Sequence, residues 1–218
     1  MTFLIFFTPE IILLSFLSIV IVLDLYLDES KKFYSYMILQ ASLFLTLFFL
    51  IFYHGELITS SYEIYDTSIF STLFKIFLTS LMIIIFHFSY SYLMTFKNYK
   101  SEYFMIMIFA LLGMMIMVSA NHLLILYLGI ELLSLSLYTI IAYNRESVFS
   151  AEAAIKYYIL GAMSSGFLLF GISLIYGLTG SLLYDDIASM IAQMNISSVS
   201  YSTSYIGLIF SLTFILIK

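Results

Sequence analysis

Polar and charged positions fall in clusters, and between them run long stretches almost free of charge. Residues 11–27 form the first apolar run, with Asp24 near its end and the charged turn Asp28-Glu29-Ser30-Lys31-Lys32 behind it. Residues 33–53 hold no charge over 21 positions, and residues 70–96 form a third run interrupted by Lys75 and His87. Residues 54–66 between them are polar and aromatic. From 103 to 144 there are 42 residues with one charge, Glu131. That is too long for a single crossing, which takes ~20 residues, and about right for two. The run Ser119-Ala120-Asn121-His122 divides the stretch into a fourth helix over 103–118 and a fifth over 123–143. A sixth helix is predicted over 152–176, with Ser150 as its N-cap. Its small residues Gly161, Ala162, Ser164, Ser165 and Gly166 favour close helix packing. Residues 177–203 read as a polar linker, and a seventh span starts at Ser204; its run to Lys218 gives ~22 Å of helix.

This alternation describes a polytopic membrane protein, and the composition agrees. Of 218 residues, 63% are hydrophobic and 10% charged, and mean hydropathy is +1.09. A soluble domain averages roughly 45–50% and about 25%. The chain has no cysteine, which excludes disulfides, thiolate nucleophiles and cysteine-ligated clusters. Its three histidines, His54, His87 and His122, lack metal-ligand spacing, and a net charge of −5 without a basic cluster excludes nucleic-acid binding. The opening MTFLIFFTPE has no basic segment of the kind that starts a cleaved signal. One Arg, one Pro and no Trp among abundant Phe, Tyr and Ile suggest drift toward AT-rich codons, a bias common in organelle genomes.

Loop charges orient the chain. With seven spans, one side receives Lys31, Lys32, Lys97, Lys100 and Arg145, and the other receives Glu10, Glu56, Glu63, Asp66, Asp185 and Asp186. Cytoplasmic-side loops carry the excess of Lys and Arg, so the N-terminus is expected to face outward.

Within the spans the strongest candidate for chemistry is Glu131, ~18 Å from the inner end of its helix. A carboxylate near mid-membrane is costly and usually faces a bundle interior or a water cavity. Tyr127, Ser134 and Tyr138 share its helix face, which favours a proton-relay role over a protonated packing residue. Lys156 pairs with Glu152 at i,i+4 and lies ~6 Å into its helix, where it can also snorkel to the surface. Lys75 reads as an interfacial anchor, His87 as a hydrogen-bonded core histidine, and Asp24 as a solvated boundary charge. His122, 2.5 turns from Glu131, points to the opposite face. Lys218 would end the last span within the membrane, on an ammonium and a carboxylate, which is costly unless another segment receives them; either the sequence is truncated there or a second polypeptide continues the helix.

Residues 102–181, with the blocks YLGIELLSLSLY and SAEAAIKYYILGAMSSG, closely resemble subunit 2 of respiratory complex I, the NADH:ubiquinone oxidoreductase. The opening TPEIILLSFLSIVIVLDL resembles the first helix of the same family. The resemblance implies an antiporter-like fold of 14 helices with two inverted five-helix repeats. This chain would supply three leading helices in 1–102 and helices four to seven of the first repeat in 103–218. It implies proton translocation in the membrane arm. Glu131 falls on the fifth-helix glutamate, Lys156 on the sixth-helix lysine and Lys218 on the seventh-helix lysine of a relay. The PFH-type motif that follows the last of these in the family is absent, as are the eighth- and twelfth-helix lysines. FMN, iron–sulfur clusters and ubiquinone are expected on other subunits, with none on this chain. The expected partners are the lipid bilayer, other membrane-arm subunits and a second polypeptide carrying the rest of a split, ciliate-type subunit. The expected location is the mitochondrial inner membrane with the N-terminus toward the intermembrane space. A cation/proton antiporter subunit and a membrane-arm scaffold without transport are the alternatives.

Overall fold

The computed structural model describes residues 7–27, 32–52, 64–95, 101–144 and 146–193. Among these are α1 (Thr8–Tyr26), α2 (Phe33–Phe52), α3 (Ile69–Thr95), α4 (Ser101–Val118), α5 (Leu123–Ile141), α6 (Val148–Thr179) and α7 (Tyr184–Gln193). The first six are long and apolar enough to cross a membrane. Each expected span through the sixth therefore has its helix; the seventh, from Ser204, lies outside the described residues.

Hydrogen bonds at the two ends fix the up-and-down alternation. Asp24, near the end of α1, accepts from Ser35 Oγ and from Ser101 Oγ, both at 2.7 Å, so α2 and α4 begin where α1 ends. Asp24 is thus a half-buried tie between three helices, not a solvated boundary charge. At the opposite, N-terminal end of the bundle, the 119–122 break is held from both sides. Asp66 N donates to Ser119 O at 2.8 Å and Asn121 N to Ile64 O at 3.1 Å. Leu123 N donates to Leu182 O at 3.0 Å and Tyr184 N to Asn121 O at 3.3 Å. These bonds satisfy backbone groups that a break between two helices would otherwise leave open.

Helices α1 to α4 share one core, with Leu13, Leu17, Leu39, Leu43, Phe86, Phe104, Ile108 and Met115 at its centre. Tyr36 stacks on Tyr90 at 4.5 Å and meets the edge of Phe104 at 5.1 Å, so some of the aromatic residues pack inward. Helices α4 and α5 cross at Gly113 and Gly129. A Cβ on Gly113 would lie 2.7 Å from Leu133 N and 2.9 Å from Gly129 O; one on Gly129 would lie 2.9 Å from Met117 N. Only the missing side chains allow this backbone-to-backbone approach.

Helix α6 starts earlier and ends later than the sequence pattern indicates. Ser147, not Ser150, is its N-cap, accepting from Ser150 N, while Ser150 Oγ turns back to the Ile141 carbonyl. Its C-cap Gly180 has φ 71°, the left-handed conformation that glycine adopts without a Cβ clash. At 32 residues it is ~48 Å long and exceeds the hydrocarbon core. Gly161, Ser164, Ser165 and Leu168 are buried, whereas Ala162 and Gly166 face outward. The expected linker over 177–203 holds a helix, α7, whose first turn carries Asp185 and Asp186. Ser181 Oγ donates to Asp186 Oδ2 at 2.7 Å and accepts from Leu183 N at 3.2 Å, which stabilises the start of that helix.

Candidate functional site

Glu131 sits eight residues into α5, ~12 Å from its start, and is half-buried. It faces α6, where Ser165 Oγ donates to its Oε1. Ser165 also lies 2.9 Å from the Gly161 carbonyl. Tyr127, one turn earlier on α5, is close enough to interact with the same carboxylate. Ser134 is buried on this face but donates back to the Ile130 carbonyl at 2.7 Å. Tyr138 presses its hydroxyl against Gly161, where a Cβ would collide with it, and its ring meets Tyr157 edge-on at 4.9 Å. The polar stripe predicted on α5 is therefore the seam between α5 and α6, and glycine and serine on α6 make room for it.

Of the predicted relay lysines, the one among the described residues, Lys156, is not gathered there. The Lys156 side chain is 71% exposed and ion-paired with Glu152, the expected i,i+4 partner. It lies nine residues from Ser165 along α6, ~14 Å. Lys218 lies outside the described residues. His122 caps α5 through its ring, Nδ1 accepting from Leu124 N at 3.2 Å. His87 is exposed on α3 instead of packed in the core. It borders a groove of about 340 Å³ together with Gln40 and Phe88.

A second ionisable cluster escaped the sequence reading. Lys75 is not an interfacial anchor: it is buried, and its Nζ lies 2.8 Å from Glu10 Oε1. The same ammonium donates to Tyr65 Oη at 2.7 Å, and Tyr65 in turn donates to Glu10 Oε1 at 2.6 Å. Burial and then the Glu10 carboxylate push the Tyr65 phenol well above its ordinary value, so it stays protonated as a donor. Beside it, burial alone would raise Asp66, but bonds from Ser71 and Ser68 and the Lys75 charge outweigh it and hold the carboxyl below its usual range. The signal was present in the sequence as a carboxylate in the first turn of one apolar helix and an ammonium near the start of another on the same side. Glu10 groups with the loop acids by sequence because it stands just ahead of the first apolar run.

Residues 120–216 match the family model described as NADH:quinone oxidoreductase/Mrp antiporter, TM. The chain is 42% identical over 204 residues to NADH-quinone oxidoreductase subunit N of Ruthia magnifica, covering 93% of this chain and 42% of that protein. It is 41% identical over 181 residues to subunit N of Thiobacillus denitrificans, covering 83% of this chain and 38% of that one. The fold matches a chain in the structure of respiratory complex I from Thermus thermophilus with bound aureothin. There the TM-score is 0.70 and the identity 24%, over 94% of this chain and 43% of the other. It also matches a chain of an archaeal membrane-bound sulfane sulfur reductase, with TM-score 0.75 and 22% identity over 96% of this chain and 44% of the other. The chain thus spans less than half the length of these relatives. Over almost all of its own length the chain is similar to part of subunit N of NADH-quinone oxidoreductases, and residues 120–216 are similar to the NADH:quinone oxidoreductase/Mrp antiporter family.

Proposed function

We propose that the chain belongs to the membrane arm of a respiratory NADH:quinone oxidoreductase and takes part in proton translocation there. The observation that carries this reading is Glu131: one carboxylate halfway along an apolar helix, turned to a serine and a tyrosine instead of lipid. A half-buried carboxyl within hydrogen-bond reach of other groups can hold or release a proton as its neighbours change. Lys156 and Lys218 complete the relay in this reading, with a rearrangement or bound water carrying the proton across the gap to Lys156. NADH oxidation, FMN, iron–sulfur clusters and quinone reduction are assigned to other subunits. The N-terminus faces outward, as the loop lysines favour.

Two finer expectations accompany the reading: a mitochondrial inner-membrane location and completion by a second polypeptide. The two subunit N relatives described above are bacterial, which favours a bacterial membrane over the organelle. Intact-mass measurement of the purified complex tests the second expectation; a single product of about twice this mass, as relatives of this length imply, would contradict it.

The family description also covers Mrp antiporters, so a cation/proton antiporter is the rival reading. Affinity purification of the chain from native membranes separates them. NADH:quinone reductase activity in the eluate supports the oxidoreductase, and cation-driven proton exchange without it supports the antiporter.

A further inference from the structure

The Glu10–Tyr65–Lys75 cluster joins α1, α3 and the segment that leads into α3, apart from the Glu131–Ser165 contact, and the mechanism above does not use it. Its three polar groups form a closed triangle with edges of 2.6, 2.7 and 2.8 Å, and exposures are 6% for Glu10, 0% for Tyr65 and 4% for Lys75. We propose that this triangle is a second proton-holding site, in which one proton is exchanged between the Lys75 amine and the Glu10 carboxylate, directly or through the Tyr65 hydroxyl. The proposal rests on the proton-translocation reading of the chain.

Three features support it. In water a carboxyl and an amine differ by about six pKa units, so the pair is fully ionised. Taking two charges out of water is costly, whereas a neutral acid and amine lose little, so burial narrows the free-energy gap between the ionic and the neutral pair. Second, the hydrogen bonds are continuous and already point the right way. A proton passes from Nζ to the Tyr65 oxygen as the phenolic proton passes to Glu10 Oε1; this leaves a neutral amine, an intact phenol and a neutral carboxyl. Charge is conserved, and the tyrosine ends as it began. Third, Glu10 Oε2 is buried and has no hydrogen-bond partner among the described residues. A carboxylate oxygen without a donor in an apolar setting is costly, and neutralising the group reduces that cost. Glu10 also borders a cleft of about 600 Å³ lined by Phe7, Ile11, Leu14, Phe109 and Leu132, so the surroundings offer no compensating charge on that side.

The cluster is joined to the Glu131 helix. Tyr65 pairs with Ala120, and the Asp66 and Ile64 backbones bond to Ser119 and Asn121, immediately ahead of α5. Asp66, fixed by Ser68 and Ser71, is the further charge facing Lys75, and Ser119 is buried beside the Tyr65 hydroxyl. A change of charge at Lys75 is therefore felt at the loop that pins the start of α5.

Two variants in the intact, vesicle-reconstituted complex test the proposal. Lys75→Arg keeps a positive charge but cannot give up its proton. The double variant Glu10→Gln with Lys75→Met removes both charges together, so no lone buried charge is left. Loss of protons moved per electron in both, in complexes that assemble, is the expected result. A wild-type ratio in either overturns it, because a purely structural pair is served by one or the other. Glu131→Gln is measured in parallel. A lowered ratio there with a wild-type ratio in both cluster variants removes only the present proposal, whereas a wild-type ratio in Glu131→Gln removes the reading beneath it.

Discussion

Gly129→Ala inserts one methyl group where α4 and α5 touch through their backbones. The new Cβ would meet Met117 N at 2.9 Å, Gly113 O at 3.0 Å and Met117 Cα at 3.1 Å, and none of these atoms can rotate away. Ordinary contact begins near 3.4 Å, so the helices must separate by roughly half an ångström along the crossing. Overpacking of this kind costs about 1–3 kcal/mol, while the helix propensity gained by replacing glycine returns up to about 1 kcal/mol. A net loss of about 1–2 kcal/mol is expected. Gly166→Ala, where nothing lies within 4 Å of the added atom, carries the propensity gain alone and should be neutral or stabilising. Gly113→Ala should resemble Gly129→Ala. Each glycine's carbonyl lies against the other's added Cβ, so the double variant should lose less than the sum of the singles, the helices having already parted. Thermal unfolding of the purified protein in detergent reads all four. Gly129→Ala and Gly166→Ala melting together would refute the packing argument, and strict additivity in the double variant would refute the shared crossing.

Three further outcomes follow from the ends of the helices. Because the Asp66 carboxyl is held below its ordinary value, its contribution to stability is present above the unfolded value near pH ~3.9 and fades as pH falls through the folded value. The melting difference between wild type and Asp66→Asn should therefore shrink on acidification. His122→Ala removes the α5 cap and should cost about 1 kcal/mol, seen as faster hydrogen exchange at Leu124 and neighbouring amides. Asp24→Ala leaves two serine hydroxyls without their acceptor and should cost about 1–3 kcal/mol, read in the same detergent melts.

The spans were legible because charge exclusion from a bilayer is a strong signal; residues 33–53 and 103–144 could be read as one and two helices by length alone. The 119–122 break was visible as small and polar residues, but its partners at Ile64, Asp66 and Leu182 are distant in sequence and were not. Two boundaries failed for local reasons. Ser147 and Ser150 are equally good caps by type, and only the three-residue offset of the bond to Ser150 N selects the first. The 177–203 segment is polar enough to pass for a linker, yet its amphipathic Tyr184–Gln193 portion forms a helix. At the candidate site, the depth of Glu131 and its polar neighbours were readable from helical spacing. Ser165 as its donor was not, since that contact depends on how α5 and α6 cross at Gly161. The burial of Lys75 is not legible in the sequence, because distance from a helix end gives depth while burial depends on which neighbour the side chain faces. The same holds for Asp24, whose partners Ser35 and Ser101 lie on two other helices.

The central claim is that Glu131 carries a proton during translocation. The direct measurement is the number of protons moved per electron by the complex containing Glu131→Gln, reconstituted in sealed vesicles, beside wild type. The amide keeps the size of the side chain and can still accept from Ser165, so the account predicts an assembled enzyme with a lowered ratio. An assembled enzyme with the wild-type ratio would contradict it.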